Sequence, residues 1–153
     1  MHWINWMVMQ LTIVALVEEI GFRGYLQNKL LAHSRHRLGA RLAVTIAVIL
    51  SAALFAVWHV PGWDLTQPWS AHLPLLLLLL GTGIVFGLIY HLSGNLYLLT
   101  LLHALGNSWP FAFDMVGWPV WALAMFWTIT AALYLAAVGL CLRLQDSRSN
   151  PSG

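Results

Sequence analysis

Several apolar segments of this chain are about as long as a lipid bilayer is thick, and this feature constrains the fold most. A helix needs about 20 apolar residues to cross the hydrocarbon core. Segments near this length cover residues 3–32, 40–60, 73–92, 96–109 and 119–144. The alternation of polar and apolar residues expected in a transmembrane β-barrel is absent, since residues 75–80 are six successive leucines. The sequence therefore predicts an all-α fold, a polytopic bundle of about five transmembrane helices.

The charged residues are few, and their positions predict the orientation. They make up 8% of the chain, where a globular domain carries about 25%. Basic residues are usually enriched on the cytoplasmic side. Here they flank the junction of the first two segments or follow the last one, at Lys29, Arg35, Arg37, Arg41, Arg143 and Arg148. Five crossings bring both groups to one side, so we expect loop 29–41 and the C-terminus to be cytoplasmic.

Tryptophans cluster at the opposite ends of the segments, as in an interfacial aromatic belt. They are Trp58, Trp63, Trp69, Trp109, Trp118 and Trp121. We expect residues 1–144 to form a single transmembrane domain, and residues 145–153 to be a disordered polar tail. The lipid bilayer is an expected partner, and no nucleic-acid signature is present.

Two adjacent acids, Glu18 and Glu19, stand at the end of the first apolar run. Charge at membrane depth is costly, and it usually marks a functional site with a nearby partner. Arg23 follows Glu19 by four residues, which places both on one helix face, so we expect them to form an ion pair. This pairing leaves Glu18 without a local cation. Glu18 is therefore the first candidate for a catalytic role.

Three more polar residues lie within apolar segments: His59 in the second, and His103 and Asn107 in the fourth. The last two are four residues apart and project in the same direction. A carboxylate can serve as a general base, an imidazole can carry a proton, and an amide can donate to an oxyanion. The set suits the attack of water on an amide. Counted from the basic loop, Glu18 and His59 share a depth if the first helix continues to about Ala32.

These residues resemble the three motifs of the CPBP family, in the family's order. The motifs are Glu18-Glu19-x-x-x-Arg23-Gly24, Phe55-x-x-x-His59 and His103-x-x-x-Asn107, within a core of residues 18–107. The family comprises intramembrane CAAX prenyl endopeptidases of type II and bacteriocin-processing (Abi) proteases, with lysostaphin-resistance-like members. The resemblance implies an endopeptidase of a bacterial plasma membrane that cleaves a membrane-associated or lipidated peptide.

The resemblance also implies roles for the six residues. Glu18 would be the base that activates water, and His59 would assist it. His103 and Asn107 would hold the oxyanion, and Glu19 with Arg23 would form a supporting ion pair. Zinc or another divalent metal could be held by Glu18, His59 and His103, although no HExxH motif is present.

Two alternatives of other classes remain open at this stage. The first is a catalytically silent membrane scaffold or bacteriocin-immunity protein with the same fold. The second is a b-type haem protein with His59 and His103 as axial ligands. The haem alternative gives no role to Glu18, Glu19 or Arg23.

Glycines predict where helices approach each other closely. Gly83 and Gly87 have the GxxxG spacing that allows close helix packing in lipid. Gly21 and Gly24, beside the acids, are expected to let another helix approach the carboxylates.

Overall fold

A computed structural model describes residues 2–113 and 119–149 of the protein. These residues are almost entirely helical and contain no strand, which confirms the predicted all-α fold. The α-helices are α1 (His2–Met9), α2 (Ala15–Glu19), α3 (Asn28–Arg35), α4 (Ala40–Trp58), α5 (Trp69–Ser93), α6 (Leu96–Phe113) and α7 (Val120–Ser149).

The first membrane helix is Ile4–Arg35, and it includes two π-helical segments. The first π segment, Gln10–Val14, joins α1 to α2, and the second, Ile20–Gln27, joins α2 to α3. Glu18 and Glu19 therefore stand in a short α-helical stretch between two π segments. Such segments are rare in proteins and frequently occur at functional sites. The predicted continuation of this helix to about Ala32 is confirmed, since the helix extends to Arg35.

Four helices are long and apolar enough to cross a membrane: Ile4–Arg35, Ala40–Gly62, Trp69–Ser93 and Thr128–Arg148. The sequence predicted about five such segments. The remaining predicted segment does form a helix, α6, but α6 is not among the four candidate spans found in the described residues. Its polar residues, which include His103 and Asn107, lower its hydropathy. The protein is thus an integral membrane protein built as a bundle of helices.

Two helix ends differ from the predicted positions. α5 begins at Trp69 instead of about Leu73, so Pro74 lies beyond the first turn. α7 continues to Ser149, past the predicted end at Leu144, so the start of the predicted tail is helical. A change from apolar to polar residues marks where a helix leaves lipid, but it does not mark where the helix ends. Residues 150–153, Asp114 and Trp118 lie outside the described residues.

The chain divides into two compact units. The first unit comprises Met1–Glu19 and Ile89–Gly153, and the second comprises Ile20–Leu88. In the first unit, α1, the first π segment and α2 pack against α6. In the second unit, α4 packs against α3 and against the second π segment.

Glycines bring α5 close to its neighbours in the second unit, as their spacing predicted. A Cβ atom at Gly83 would lie 3.0 Å from the Cβ of Ala52, and one at Gly87 would lie 3.0 Å from a methyl carbon of Val48. The side-chain amide of Gln27 donates to the carbonyl of Gly87 at 2.9 Å. The expectation for Gly21 is wrong, because a Cβ there would meet no atom of another helix within 4 Å among the described residues. Gly21 lies on an exposed face of the helix.

A short ordered loop links α4 to α5. The Asp64 carboxylate accepts hydrogen bonds from the backbone N–H and the hydroxyl of Thr66, at 3.1 and 2.6 Å. These bonds hold the pKa of Asp64 below its usual value. The ring of His72 stacks on Trp63 at a centroid distance of 5.1 Å.

Candidate active site

The predicted glutamates lie where the first membrane helix packs against α6. Ala15 and Glu19 are fully buried on the packing face of the first helix, and Leu99 and Ala104 are fully buried on α6. Small buried side chains allow two helix backbones to come close in a membrane. This close packing brings the side chains of α6 within reach of the two acids.

His103 lies between Glu18 and Glu19. Its Nδ1 is 2.7 Å from Oε1 of Glu19, and its Nε2 is 3.6 Å from Oε2 of Glu18. Glu19 is fully buried and His103 nearly so, whereas the Glu18 side chain remains 17% exposed. The structure thus brings together three of the six predicted residues, and it assigns Glu19 a partner that the sequence pattern did not predict.

The contacts of His103 determine how protons can be arranged in this cluster. With Glu19 as a carboxylate, which only accepts hydrogen bonds, Nδ1–H of His103 donates to it. The second ring nitrogen, Nε2, is then oriented toward Glu18. Oε2 of Glu18 is itself buried and makes no hydrogen bond to the residues that the structure describes. Glu18 therefore keeps a lone pair that can accept a proton from another molecule.

Asn107 lies one turn after His103 on α6, and its side-chain amide is held from the first helix. Nδ2 of Asn107 donates to Oε1 of Gln10 at 2.8 Å. Gln10 is the first residue of the first π segment and is almost completely buried. Because Oε1 of Gln10 is an acceptor, the amide of Asn107 presents its nitrogen to Gln10 and not its oxygen.

His59 lies in the second unit, directly after the last residue of α4. Its Nδ1 is 2.8 Å from the carbonyl oxygen of Phe55, and its ring packs edge-on against the Phe55 ring at 4.7 Å. A carbonyl accepts, so Nδ1 carries the proton and Nε2 is the nitrogen available for another partner. The spacing of four residues in Phe55-x-x-x-His59 thus fixes the tautomer of this imidazole.

Arg23 is fully buried in the second unit. Its guanidinium lies over the ring of Phe55, 4.4 Å from the centroid, and it donates to the carbonyl of Gly83 at 3.4 Å. A buried cation is stabilised by aromatic faces and by hydrogen bonds to carbonyl groups. Arg23 of the first motif thus contacts both Phe55 of the second motif and Gly83 on α5. The predicted pairing of Arg23 with Glu19 stays a prediction.

The predicted metal site stays a prediction as well. Among the described residues no group of three or more His, Cys, Asp or Glu side chains is placed to hold a metal ion. Catalytic zinc usually takes three protein ligands and a water. In the cluster around His103, Nδ1 lies 2.7 Å from Glu19, so Nε2 is the ring nitrogen that would hold a metal ion together with the Glu18 carboxylate. The third proposed ligand, His59, lies in the second unit.

A family model, type II CAAX prenyl endopeptidase Rce1-like, matches residues 1–109. The match covers 109 of 153 residues, more than two thirds of the chain, and it includes all six predicted site residues. The chain belongs to this family. No curated protein and no solved structure matches it.

Membership of the Rce1-like family confirms the resemblance found in the three motifs. At the level of the family the protein is a membrane protease, an intramembrane endopeptidase of the CAAX type. Its substrate is accordingly a peptide or a lipidated protein in a membrane. The four apolar helices fit this activity.

Gln10 is the residue of this site that sequence reasoning missed. The available signal was an amide side chain in the otherwise apolar run from Trp3 to Val17, which Asn5 and Thr12 also interrupt. Thr12 is exposed and donates to the Val8 carbonyl of its own helix. The sequence alone does not distinguish the buried amide of Gln10 from these exposed polar residues.

Proposed function

We propose that the protein hydrolyses a peptide bond of a membrane-associated or lipidated CAAX-type peptide, with Glu18 as the base that activates water. The observation that carries this proposal is the position of His103 between Glu18 and Glu19. A histidine held by a buried carboxylate on Nδ1, with Nε2 beside the proposed base, is placed to donate to the oxyanion that forms when Glu18 activates water.

Glu18 is the member of the cluster best suited to react with water. Its side chain is 17% exposed, whereas Glu19 is fully buried, so Glu18 is the carboxylate that we propose water reaches. In the proposed first step, Glu18 takes a proton from water while the water oxygen bonds to the carbonyl carbon of the scissile peptide. The proton then passes to the leaving nitrogen as the C–N bond breaks. The products are a carboxylic acid and an amine, and Glu18 returns to its starting state.

His103 and Asn107 are the proposed donors to the oxyanion. They lie one turn apart on α6, so their side chains project from the same face. Glu19 stabilises a protonated His103 through Nδ1, and Nε2–H of that imidazolium can then donate. Asn107 donates through Nδ2. One N–H of this nitrogen donates to Gln10, and the other N–H is the proposed donor to the oxyanion. Preorganised donors of this kind typically account for about 10²–10³-fold in rate each.

His59 and Arg23 have proposed roles that rest on the family motifs. His59 assists Glu18 through Nε2, the nitrogen that the Phe55 carbonyl leaves available. Arg23 fixes the helix that carries the acids through its contacts with Phe55 and Gly83. No step in this scheme passes through a metal ion. A divalent metal held by Glu18, His59 and His103 remains a separate proposal.

The orientation follows from the charge distribution and is also a proposal. Loop 29–41 and the end of α7 carry most of the basic residues, so we propose that both face the cytoplasm. The loop that contains Asp64 has no Lys or Arg and would face the opposite side.

A cleavage assay in liposomes tests the proposed function. The purified protein would be given a farnesylated CAAX peptide and the same peptide without the lipid, and products would be analysed by mass spectrometry. We expect one new carboxyl terminus in the farnesylated peptide, and no product from the Glu18→Ala variant. A membrane scaffold without catalytic activity would give no cleavage of either peptide and would keep its cellular phenotype in the triple variant Glu18→Ala, His59→Ala, His103→Ala.

A further inference from the structure

Gln10 is a buried polar residue that none of the three family motifs contains. It lies on the face of the first π segment that packs against α6, and it is 4% exposed. Burying an amide among apolar side chains costs free energy unless the amide is hydrogen-bonded. Its carbonyl oxygen has a partner in Asn107, at 2.8 Å. The hydrogen bond that compensates the burial of Gln10 is therefore made with Asn107. Asn107 is the residue of α6 whose side-chain amide is proposed to donate to the oxyanion.

The bond between these residues fixes the orientation of the Asn107 amide. A free asparagine amide can turn over and exchange the positions of its oxygen and nitrogen. If the amide oxygen faced the substrate, it would repel a developing oxyanion. If the amide nitrogen faces the substrate, its N–H can donate to the oxyanion. While Gln10 presents Oε1, as it does here, the turned-over orientation of Asn107 would place two oxygens against each other. The second N–H sits on the same nitrogen and remains available.

We propose that Gln10 is a positioning residue that holds Asn107 in the orientation that donates to the oxyanion. The inference rests on the proposed function of Asn107 in the previous section. Gln10 does not touch the substrate, and its effect on the reaction passes entirely through Asn107. The π segment that begins at Gln10 fits this role, because such segments often alter the direction of side chains at functional sites.

A double-mutant cycle tests the proposal on the purified enzyme with the farnesylated peptide. The variants are Gln10→Met, Asn107→Ala and the double variant. Met is close to Gln in size and lacks the acceptor. We expect Gln10→Met to lower kcat about tenfold or more with KM unchanged, because the bond acts in the transition state and not in substrate binding. The double variant should be no slower than Asn107→Ala alone, since residues acting as a unit are not additive.

Two further variants separate positioning from a structural effect. Gln10→Glu keeps a side-chain oxygen that can accept from Asn107, so we expect it to recover most of the activity that Gln10→Met loses. Thr12→Val changes an exposed polar residue of the same π segment and should keep wild-type kcat. Thermal unfolding in detergent identifies any variant that has lost the fold.

The outcomes of this experiment are distinguishable. If Asn107→Ala cleaves at the wild-type rate, the oxyanion role proposed for Asn107 is wrong, and the positioning proposal fails with it. If Asn107→Ala is slow but a folded Gln10→Met is as fast as wild type, only the positioning proposal is overturned. Losses that multiply in the double variant would also overturn it, because Gln10 would then act independently of Asn107.

Discussion

The two adjacent glutamates differ in burial, and this difference separates their proposed roles. Glu19 is fully buried and lies 2.7 Å from Nδ1 of His103, whereas the side chain of Glu18 is 17% exposed. A group that orients another residue needs no access to solvent, but a group that activates water does. Glu19 is thus comparable to the buried carboxylate that orients the histidine in a hydrolytic triad.

Replacing Glu19 by Gln should lower kcat about 10- to 100-fold. The amide cannot compensate a charged His103, and the loss of a hydrogen bond between charged groups is worth about 1.5–3 kcal/mol. Cleavage kinetics of the farnesylated peptide measure this effect. Asp64→Asn removes a carboxylate from the exposed loop between α4 and α5 and serves as the matched control. Equal activity of the Glu19→Gln variant and the control would contradict the role of Glu19.

Arg23→Lys should lower the stability of the protein by about 1–3 kcal/mol. A lysine cannot reproduce the planar contact with Phe55, and its ammonium group is more strongly hydrated and so more costly to bury. Thermal unfolding in detergent, followed by circular dichroism, measures the change. The same substitution at the exposed Arg41 should alter stability by no more than about 0.5 kcal/mol. Equal melting temperatures for the two variants would show that the guanidinium geometry is not needed.

The sequence predicted the candidate residues of the site but not all of the contacts that they make. Spacing along one helix predicts Arg23 as a partner of Glu19, and that pairing stays a prediction. The contact of Glu19 with His103 was not predicted, because the i, i+4 rule describes only one helix at a time and His103 is 84 positions away, on α6. The contact between Gln10 and Asn107 was missed for the same reason.

At the scale of helices, the long apolar segments predicted the elements well, and lipid explains this success. A backbone in hydrocarbon must satisfy its own hydrogen bonds, so long apolar runs become helices almost regardless of detail. The π segments on either side of α2 were not predicted, since no residue pattern marks them. The positions of helix ends outside the apolar runs, such as Ser149, could not be predicted from hydrophobicity either.

Gly83→Leu should destabilise the protein by about 1–3 kcal/mol through overpacking. The backbone and side chain of Ala52 lie within 3.4 Å of a Cβ at this position, so a larger side chain forces α5 away from α4. Gly81 is the matched control on the same helix, because in the described part of the chain a Cβ there meets no atom of another helix within 4 Å. Thermal unfolding in detergent should show a lower melting temperature for Gly83→Leu only. Similar losses at both positions would mean that the close approach of α5 to α4 does not matter for stability.

At the scale of the whole molecule, the proposed orientation can be tested by labelling from one side of the membrane. In a Cys141→Ser background, a cysteine at Thr66 should react with a membrane-impermeant maleimide in intact cells. A cysteine at Leu38, in the basic loop, should react only after the cells are permeabilised. The reverse pattern would mean that the basic residues face outward, and reaction of both without permeabilisation would exclude the proposed topology.

The central claim is that Glu18 is the base of an intramembrane endopeptidase, and the most direct test is the rate of peptide cleavage by Glu18→Gln. The substitution preserves size and removes the carboxylate charge, and with it the ability to accept a proton from water. General base catalysis contributes about 10²–10⁴-fold, so we expect kcat for the farnesylated peptide to fall by at least about 10²-fold in a folded variant. Cleavage within a few-fold of the wild-type rate would contradict the claim.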